Sequence, residues 1–514
     1  MRKPMCFITV VCILLGCSAE NAIAPDNAVS TNTVHSGFVV SVNGSQYGEG
    51  TPEHPWALST ALAQPGILKA GDTVWVHGGV YKGEFTSELT GTVTAPLVLR
   101  AFPGEHAVID GRLNINGSYT YYWGFEVMSS DPNRETALPG SEPTDLPRIR
   151  AAIFVAGPFN KLINLVVHDL SNGLFAGSPA EGLEVYGSIF FNNGWAGPDR
   201  GHGHNVYLQN ENATKRVIDN VIFNSFSSGL QIYGTSAARL QNFFIEGNTI
   251  FNSGDPVAAR FGHVFNIEQW GGATGTLANS IYKANSIYHR DGRDPALRFN
   301  AAGEAPGEDL EFSDNIVQGE TSFNEMKRYT ITGNEFTSGM QRLAGQSVLV
   351  GLRLPPGTSF SSYTWDRNHY AVPPLGTQDP FHVNDGNVVG YYFTAWQSAT
   401  GYDRTGTFVD GAFVKPDIVV RANRYEPGRA FITCWNWGSA GFLNVDLSGV
   451  LKPGDRFEIR HVFNLDGSPL VSGIYGGKTV SVPQSALIPP APIGYAASVR
   501  MPDNRFNVFL VQKR

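Results

Sequence analysis

The stretch IDNVIFNSFSSGLQIYG, residues 218–234, decides the fold because its pattern returns along the chain. An apolar residue is followed by Asn, a short apolar strand, a turn rich in Asn and Gly, and an alternating strand. Further copies are EGNTIFNSG (246–254), KANSIYHRDG (283–292), SDNIVQG (313–319) and TGNEFTSG (332–339). Strand-length units that recur in this way predict a solenoid, in which each coil stacks on the next.

The recurring Asn predicts one corner of every coil. An inward Asn tolerates the backbone of a sharp turn and can bond the backbone of its own coil and the next. We therefore interpret this Asn as scaffold at positions Asn220, Asn248, Asn285, Asn315 and Asn334. Their uneven spacing places the extra residues in loops, which in solenoids often gather on the binding face. The largest loops are expected at 128–148, 195–204, 254–263, 270–279 and 301–308.

Composition favours a folded, turn-rich protein. The 514 residues include 58 Gly and 31 Pro, and 42% are hydrophobic, which is enough for a long core. A formal net charge of −8 argues against a general nucleic-acid binder. The same charge is compatible with an anionic sugar substrate, because a local basic cluster can outweigh the global sign.

The N-terminus has the pattern of a processing signal. Basic residues precede a short apolar run, and Leu14-Leu15-Gly16-Cys17 resembles a bacterial lipobox. This resemblance implies a signal peptide over 1–16, lipidation of Cys17 and an outer-membrane lipoprotein that faces the periplasm or the cell surface. Only the lipid anchor would contact the membrane. We expect the protein to be a monomer. The alternative is an ordinary secretory signal with a chance Cys. Cys6 and Cys12 leave with the signal and Cys17 would be lipidated, so Cys434 is left without a partner for an internal disulfide.

The rest of the chain divides into segments of different pattern. Residues 17–37 are small and polar and predict a tether. The β-helix is expected over 38–340, with an amphipathic capping helix within 51–63. Residues 341–411 are irregular and are either the last coil or a packed linker. Alternating strands over 412–514 predict a small antiparallel β-sandwich.

The first coils carry a family resemblance. FVVSVNGS (38–45), GDTVWVHGGVY (71–81) and PLVLRAFPGEHAVIDG (96–111), together with the repeats, resemble right-handed parallel β-helix proteins of the pectate-lyase-like superfamily. That superfamily includes polysaccharide lyases and polygalacturonase-type hydrolases, and the overall layout resembles bacterial β-helix lipoproteins. The resemblance implies an all-β, right-handed parallel β-helix and an acidic polysaccharide as substrate, although fold alone does not fix activity.

One coil departs from the repeat, DRGHGHNVYLQN at 199–210. Because side chains alternate along a strand, Val206 and Leu208 are expected to point inward and Tyr207 outward. Extending this reading to other coils predicts an outer row of Glu184, Tyr207, Gln231, Asn266 and Arg298. The catalytic candidates are His202, His204, Tyr207, Glu268 and Arg298. The substrate-binding candidates are Glu184, Arg200, Gln209, Gln231, Tyr233 and Asn266.

These residue types suit two reactions on a sugar polymer. Elimination on a uronate needs a cation, a base and an acid. Candidates for the three roles are, in that order, Arg298 or Arg200, His204 or His202, and Tyr207 or Tyr233. Hydrolysis needs two carboxyl groups, for which Asp199, Glu184 and Glu268 are available.

The motifs leave further alternatives open. Gly201-His202-Gly203 resembles a motif of polygalacturonase-type hydrolases, but the Asn-Thr-Asp, Asp-Asp and Arg-Ile-Lys motifs of that family are missing from the sequence. Arg298 could simply pair with Glu268. No cofactor or metal is assigned, although Asp169, Glu181 and Glu184 offer oxygen ligands that Ca²⁺ could use. We expect a lyase ahead of a hydrolase, with a non-catalytic glycan-binding or structural surface protein as the third possibility.

Overall fold

The computed structural model describes most of the chain. The described residues are 37–146, 152–234, 239–271, 276–290, 295–301, 303–338, 348–372, 379–497 and 504–514. The predicted signal peptide, Cys17 and all but the last residue of the predicted tether lie outside them. Within the described residues, no helix is long and apolar enough to cross a membrane.

The chain forms a parallel β-helix of three sheets, A, B and C, as the repeat predicts. In each sheet, a strand pairs in parallel with the strands of the coils before and after it. Sheet A consists of Phe38–Ser45, Thr73–Val76, Leu97–Ala101, Thr120–Trp123, Lys161–Ile163, Glu184–Tyr186, Lys215–Ile218, Arg239–Glu246, Thr276–Lys283, Gly307–Ser313, Met326–Thr332 and Thr364–Asp366.

Sheets B and C begin with two shared long strands, Gly79–Ser87 and Ala107–Ile115. Sheet B continues with Glu126–Met128, Val166–His168, Ile189–Phe191, Val221–Phe223, Thr249–Phe251, Ser286–Tyr288, Ile316–Gln318, Glu335–Thr337, His369–Val372 and Thr407–Asp410. Sheet C continues with Ala152–Val155, Asn172–Ala176, Val206–Leu208, Leu230–Tyr233, Ile267–Trp270, Pro295–Phe299, Glu320–Asn324, Val350–Arg353 and Phe381–Asn384, and Val388–Tyr391 adds an antiparallel edge. The parallel pairing thus extends past residue 340, where the sequence pattern predicts the last repeat.

The helices are short. Leu58–Leu62 buries Leu58, Ala61 and Leu62 in the same apolar cluster as the first strands of the β-helix. This is the position expected of a cap. The other helical segments of the described residues are the α-helices Ala258–Phe261 and Phe393–Thr400 and the 3-10 turns Asp255–Val257 and Phe360–Ser362.

A buried ladder of amides joins one corner of successive coils, as predicted for the recurring Asn. The Nδ2 of Asn220 donates to the Oδ1 of Asn248 at 2.9 Å, and Asn248 donates in the same way to Asn285 at 3.0 Å. The series continues through Asn315, Asn334 and Asn368 and ends at Asp403. Backbone N–H groups of the ladder residues donate to the same oxygens. The scaffold role of these Asn residues is confirmed.

The C-terminal domain consists of two antiparallel sheets that share one apolar core. The larger sheet consists of Asp417–Ala422, Arg429–Trp435, Phe506–Lys513, Arg456–His461 and Val471–Ile474, and the smaller of Phe442–Val445 and Val480–Pro483. Leu443 and Val482 of the small sheet pack with Ile432 and Phe509 of the large one. Cys434 is a buried free thiol in this core, where burial raises its pKa to about 12.

The other face of the large sheet covers the outside of sheet B. There Phe191, Phe223 and Phe251 stack coil on coil, with ring centroids 5.1 Å apart. Phe506 of the C-terminal domain stacks on Tyr288 at 4.2 Å. The C-terminal domain therefore covers this apolar outer face of sheet B.

A buried polar chain also joins the β-helix to the C-terminal domain. Asp169 accepts a hydrogen bond from the backbone N–H of Ile493 at 2.8 Å and forms ion pairs with Arg134 and His168. The other ring nitrogen of His168 contacts Glu126 at 3.1 Å. Burial alone lowers the pKa of His168, but the hydrogen bonds and charges of Asp169 and Glu126 raise it to about 9.

The first prediction concerns the amide ladder. In Asn248→Ala, buried donors and acceptors on three coils lose their partner, which should reduce the free energy of unfolding by about 3 kcal/mol. Urea unfolding followed by circular dichroism measures the change. The exposed Asn43→Ala is the matched control and should stay within about 0.5 kcal/mol of the wild type. If both substitutions lowered the free energy of unfolding equally, the ladder would not be a specific source of stability.

The second prediction follows from His168. Its pKa rises on folding from about 6.5 to about 9, so its contribution to stability is complete below pH 6.5 and is lost as the pH rises through 9. His168→Gln should flatten the fall in unfolding free energy over this window, by up to about 3 kcal/mol. The exposed His54→Gln should keep the wild-type slope. A wild-type slope in His168→Gln would contradict the assignment.

Candidate functional site

A cleft of about 570 Å³ opens on the outer face of sheet C. Its aromatic walls are formed by Trp195, Tyr207, Tyr233, Phe265 and Trp270. Its polar side chains include Arg200, His202, His204, Ser228, Gln231, His263 and Glu268. Seven residues singled out from the sequence therefore line one cleft, and an eighth, Arg298, contacts its wall.

The strand register explains why these side chains meet. Tyr207 pairs with Gln231, Gln231 with Glu268, and Glu268 with Arg298 on consecutive coils. The neighbouring strand residues Val206 and Leu208 are fully buried in the core, so this row points outward. The outer row of the cleft is thus a ladder of one residue per coil.

Glu184 does not belong to this row, and that expectation is wrong. Its strand lies in sheet A, where Glu184 pairs with Lys161 and Arg216. Its carboxylate is bound by Arg424 and by the hydroxyl of Tyr425, both from the C-terminal domain. Alternation along a strand predicts whether a side chain points into the core or outward. It does not predict to which of the three sheets the strand belongs.

Asn266 is also absent from the outer row. It is fully buried at the corner before its strand, where its Oδ1 accepts hydrogen bonds from the N–H and hydroxyl of Ser253. Its Nδ2 donates to the carbonyl of Tyr288 at 3.0 Å. Asn266 therefore holds the turn that leads into sheet C, and the outward positions of its strand are Glu268 and Trp270.

A small hairpin forms one wall of the cleft. Trp195–Ala196 pairs in antiparallel fashion with Gly201–His202, and the two rings of Trp195 and His202 stack at 5.3 Å. Asp199, in the turn, holds His202 Nε2 at 2.9 Å. Burial lowers the pKa of His202, so its imidazole is neutral and bound within the wall. This arrangement makes His202 a positioning residue.

The two glycines beside His202 have a packing role. A Cβ on Gly201 would lie 2.0 Å from the carbonyl oxygen of Phe226. Gly203 has a φ of +80°, and a Cβ there would lie 2.1 Å from the carbonyl oxygen of Ser171. The Gly-His-Gly sequence is therefore required by the close approach of the hairpin to neighbouring coils.

His204 presents a neutral imidazole to the cleft. Its Nδ1 lies 3.2 Å from the carbonyl oxygen of Ser228. A carbonyl only accepts, so Nδ1 carries the proton and Nε2 carries the lone pair. Burial lowers the pKa of His204 to about 4, with the Ser228 carbonyl opposing and Arg200 reinforcing this shift. Within the described residues, Nε2 has no hydrogen-bond partner.

Tyr207 lies next to His204 and keeps its proton. The two rings meet edge to face with centroids 5.4 Å apart. Burial, and to a smaller extent Tyr233, raises the pKa of Tyr207 to about 12, while a hydrogen bond with Gln209 opposes the shift. Gln209 also donates to the carbonyl of Tyr233 at 3.1 Å. A proton acceptor and a proton donor are thus neighbours at the cleft.

Glu268 and Arg298 form an ion pair on the outer row. Glu268 Oε2 also accepts a hydrogen bond from the hydroxyl of Ser228 at 3.1 Å. The guanidinium of Arg298 lies over the rings of Phe265 and Trp270, at 4.8 and 5.0 Å from their centroids. This pairing neutralises the charge that Arg298 would otherwise offer to a substrate carboxylate.

Arg200 is the exposed cation of the cleft. Its side chain is 57% exposed and touches Asp199 at 3.4 Å and the hydroxyl of Ser141 at 3.1 Å. Gln231 is a buried amide in the same lining. These two groups are placed to bind an anionic sugar without breaking the Glu268–Arg298 pair.

Two of the three residues suggested for Ca²⁺, Asp169 and Glu184, are engaged in ion pairs. Asp169 is bound by Arg134 and His168, and Glu184 by Arg424. In the part of the chain that the structure describes, no group of three His, Cys, Asp or Glu side chains could hold a metal ion.

Three aromatic residues of the cleft are not among the residues predicted from the sequence: Trp195, Phe265 and Trp270. For Trp270 a signal exists, since it lies two residues beyond Glu268 and shares its outward face. Its ring lies 4.5 Å from that of Tyr233, the paired residue of the preceding coil. Trp195 lies in a two-residue strand and Phe265 in a loop, and neither segment is long enough in regular structure for alternation to give a direction.

Comparison with known proteins supports the fold and points to polysaccharide lyases. No protein-family model matches the chain. Pectate lyase L of Thermoclostridium stercorarium is 32% identical over 127 residues, which is 23% of this chain and 10% of that protein. Pectate lyase PEL9 of Emericella nidulans is 39% identical over 75 residues, 14% of this chain and 18% of that protein. The chain thus matches less than a fifth of the length of either relative.

Solved structures of similar architecture are more distant in sequence. Pectate lyase Pel9A is 16% identical, with a TM-score of 0.39 over 65% of this chain and 80% of that one. A rhamnogalacturonan lyase is 14% identical, with a TM-score of 0.44 over 72% and 86%. Similarity at this level does not extend to function. The resemblance to pectate-lyase-like β-helix proteins is confirmed by the chain's own three parallel sheets and by the pectate-lyase matches.

The third prediction concerns the protonation of His204. Its imidazole resonance in a two-dimensional ¹H–¹⁵N spectrum, assigned by its loss in His204→Ala, should keep the neutral pattern from pH 8 down to pH 5. The imidazole of His204 should become protonated near pH 4, because burial lowers its pKa to about 4. In urea the same ring should titrate near 6.5. Titration of the folded protein near 6.5 would show that His204 is solvated and would contradict the described burial.

Proposed function

We propose that this protein cleaves an acidic polysaccharide by β-elimination in the sheet C cleft. The observation that carries the proposal is the contact of a neutral His204 with a protonated Tyr207. Elimination requires a base and an acid of this kind close together. The pectate-lyase matches support the same class of reaction.

Each residue has a separate role in the proposed reaction. His204 Nε2 takes the proton from C5 of a uronate, the C–H electron pair forms the C4–C5 double bond, and the C4–O bond breaks. Tyr207 Oη donates its proton to the departing oxygen, and both side chains recover by exchange with solvent. Arg200 and Gln231 bind the uronate carboxylate, which stabilises the charge that develops when C5 loses its proton.

Hydrolysis is less well supported by the cleft. It needs two carboxyl groups that flank the scissile bond. Among the described residues that line the cleft, Glu268 is the single carboxylate, and Arg298 already pairs with it. Asp199 lies nearby, but it holds His202.

Sugar binding without cleavage is the second candidate. The rings of Tyr233 and Trp270 form an aromatic ledge at the cleft, with centroids 4.5 Å apart. Such a surface suits the apolar face of a sugar ring, and it serves a binding protein as well as an enzyme. Attachment to the outer membrane through Cys17 accompanies either function as a prediction from the sequence.

The fourth prediction is an activity with two diagnostic variants. The protein should produce unsaturated uronate, measured by ultraviolet absorbance, from one of alginate, pectate, ulvan or a glycosaminoglycan. His204→Ala and Tyr207→Phe should each lower kcat by about 100-fold or more, because each loses one proton-transfer group. The exposed His54→Ala and Tyr47→Phe are matched controls and should retain full activity.

The assay separates the alternatives. New reducing ends without absorbance would indicate hydrolysis and contradict the elimination step. Binding without either product, measured by affinity electrophoresis in the same glycans, would indicate the non-catalytic candidate. Parallel reactions with EDTA and with added Ca²⁺ test the calcium that the sequence left open.

A further inference from the structure

A second groove lies away from sheet C, where the C-terminal domain meets the first coils of the β-helix. The β-helix contributes Arg100, Trp123 and Asn164 to its lining, and the C-terminal domain contributes Arg429 and Gln512. The groove belongs to the side of sheets A and B, so a molecule bound there would not occupy the cleft.

Arg429 is a buried cation in the lining of this groove. It is 8% exposed, and its Nε is buried without a hydrogen-bond partner. Among the described residues, no carboxylate forms an ion pair with it. This Nε–H group has lost its hydration without gaining a hydrogen bond in return, which is costly.

Arg100 approaches the groove from the β-helix side. It lies in the outward row of sheet A between Trp75 and Trp123, with its guanidinium 5.7 and 3.9 Å from their ring centroids. These rings fix the side chain without neutralising it. As with Arg429, no carboxylate of the described residues forms an ion pair with Arg100.

Four carboxylates line the groove, Glu105, Glu126, Glu426 and Asp466, and among the described residues none of them forms an ion pair with Arg100 or Arg429. Glu105 and Glu126 bind histidines instead. Glu426 acts on both guanidiniums by its charge, yet burial still lowers the pKa of Arg100 and of Arg429. One oxygen of Glu426 already accepts a hydrogen bond from Asn164 at 2.9 Å. Two other arginines of the lining, Arg460 and Arg514, are satisfied by their pairing with Glu458.

We infer that the interdomain groove binds one oxyanion, the carboxylate or sulfate group of an acidic saccharide, between Arg100 and Arg429. A planar guanidinium donates paired hydrogen bonds to either group, which restores the bonds that Arg429 lacks. The saccharide part of the inference rests on the proposed function, whereas the oxyanion site rests on the groove alone. A polymer held here would stay attached while its other segments reach the cleft.

The fifth prediction tests the groove by isothermal titration of the whole protein with sodium glucuronate, sodium sulfate and, as the neutral sugar, glucose. Glucuronate or sulfate should bind and glucose should not. Arg429→Gln and Arg100→Gln should each weaken that binding about tenfold or more, because a charge-assisted hydrogen bond is lost. Arg328→Gln removes an exposed arginine of sheet A and should bind as the wild type does.

The outcomes are distinguishable from those of the activity assay. Arg200→Gln removes the exposed cation of the cleft and should leave anion binding at the groove unchanged, so failure of the proposed function does not affect this test. Tighter binding of glucuronate assigns the site to a carboxylate, and tighter binding of sulfate assigns it to a sulfate ester. If Arg429→Gln fails to fold, the anion affinity of Arg100→Gln tests the inference instead. Wild-type affinity in a folded Arg429→Gln or Arg100→Gln, or no anion binding by the wild type at millimolar concentration, overturns the inference.

Discussion

The structure depends on the hydrogen-bonded amides buried at one corner of each coil. A buried Asn is tolerated only when its donors and acceptors are all satisfied, and here the coils before and after it satisfy them. This requirement fixes how far one coil may shift against the next. The outward rows of sheet C stay aligned for that reason, and the alignment brings Tyr207, Gln231 and Glu268 together.

The C-terminal domain determines which face of the β-helix is left for chemistry. Stacked Phe side chains make the outer face of sheet B apolar, and the large antiparallel sheet covers them. On sheet A, Glu184 and Tyr186 bind Arg424 and Tyr425 of the same domain. Much of two faces is thereby devoted to stability, and the polar cleft lies on the third.

The fold and most of the cleft could be predicted from the sequence because both follow from short periodicities. The Asn repeat gave the coils, and alternation gave the direction of Tyr207, Gln231 and Glu268. It failed for Glu184, since alternation does not distinguish the three faces of a coil. It failed for Asn266, whose amide turns inward at a corner where strand geometry ends. The segment 341–411 was left open between a last coil and a packed linker because its turn residues, Asn368 and Asp403, lie outside the repeated sequence.

The amide ladder also has a direction. Each Asn donates toward the following coil, from Asn220 to Asn368, so the side-chain dipoles add along the axis of the molecule. Asp403 receives the last donor, and its second oxygen accepts from Tyr370 and Trp396. A carboxylate of this kind has no amide hydrogen to pass on. The ladder therefore ends chemically at this residue: duplication of a coil upstream would preserve it, whereas the Asn of a coil added after Asp403 would find no side-chain donor there.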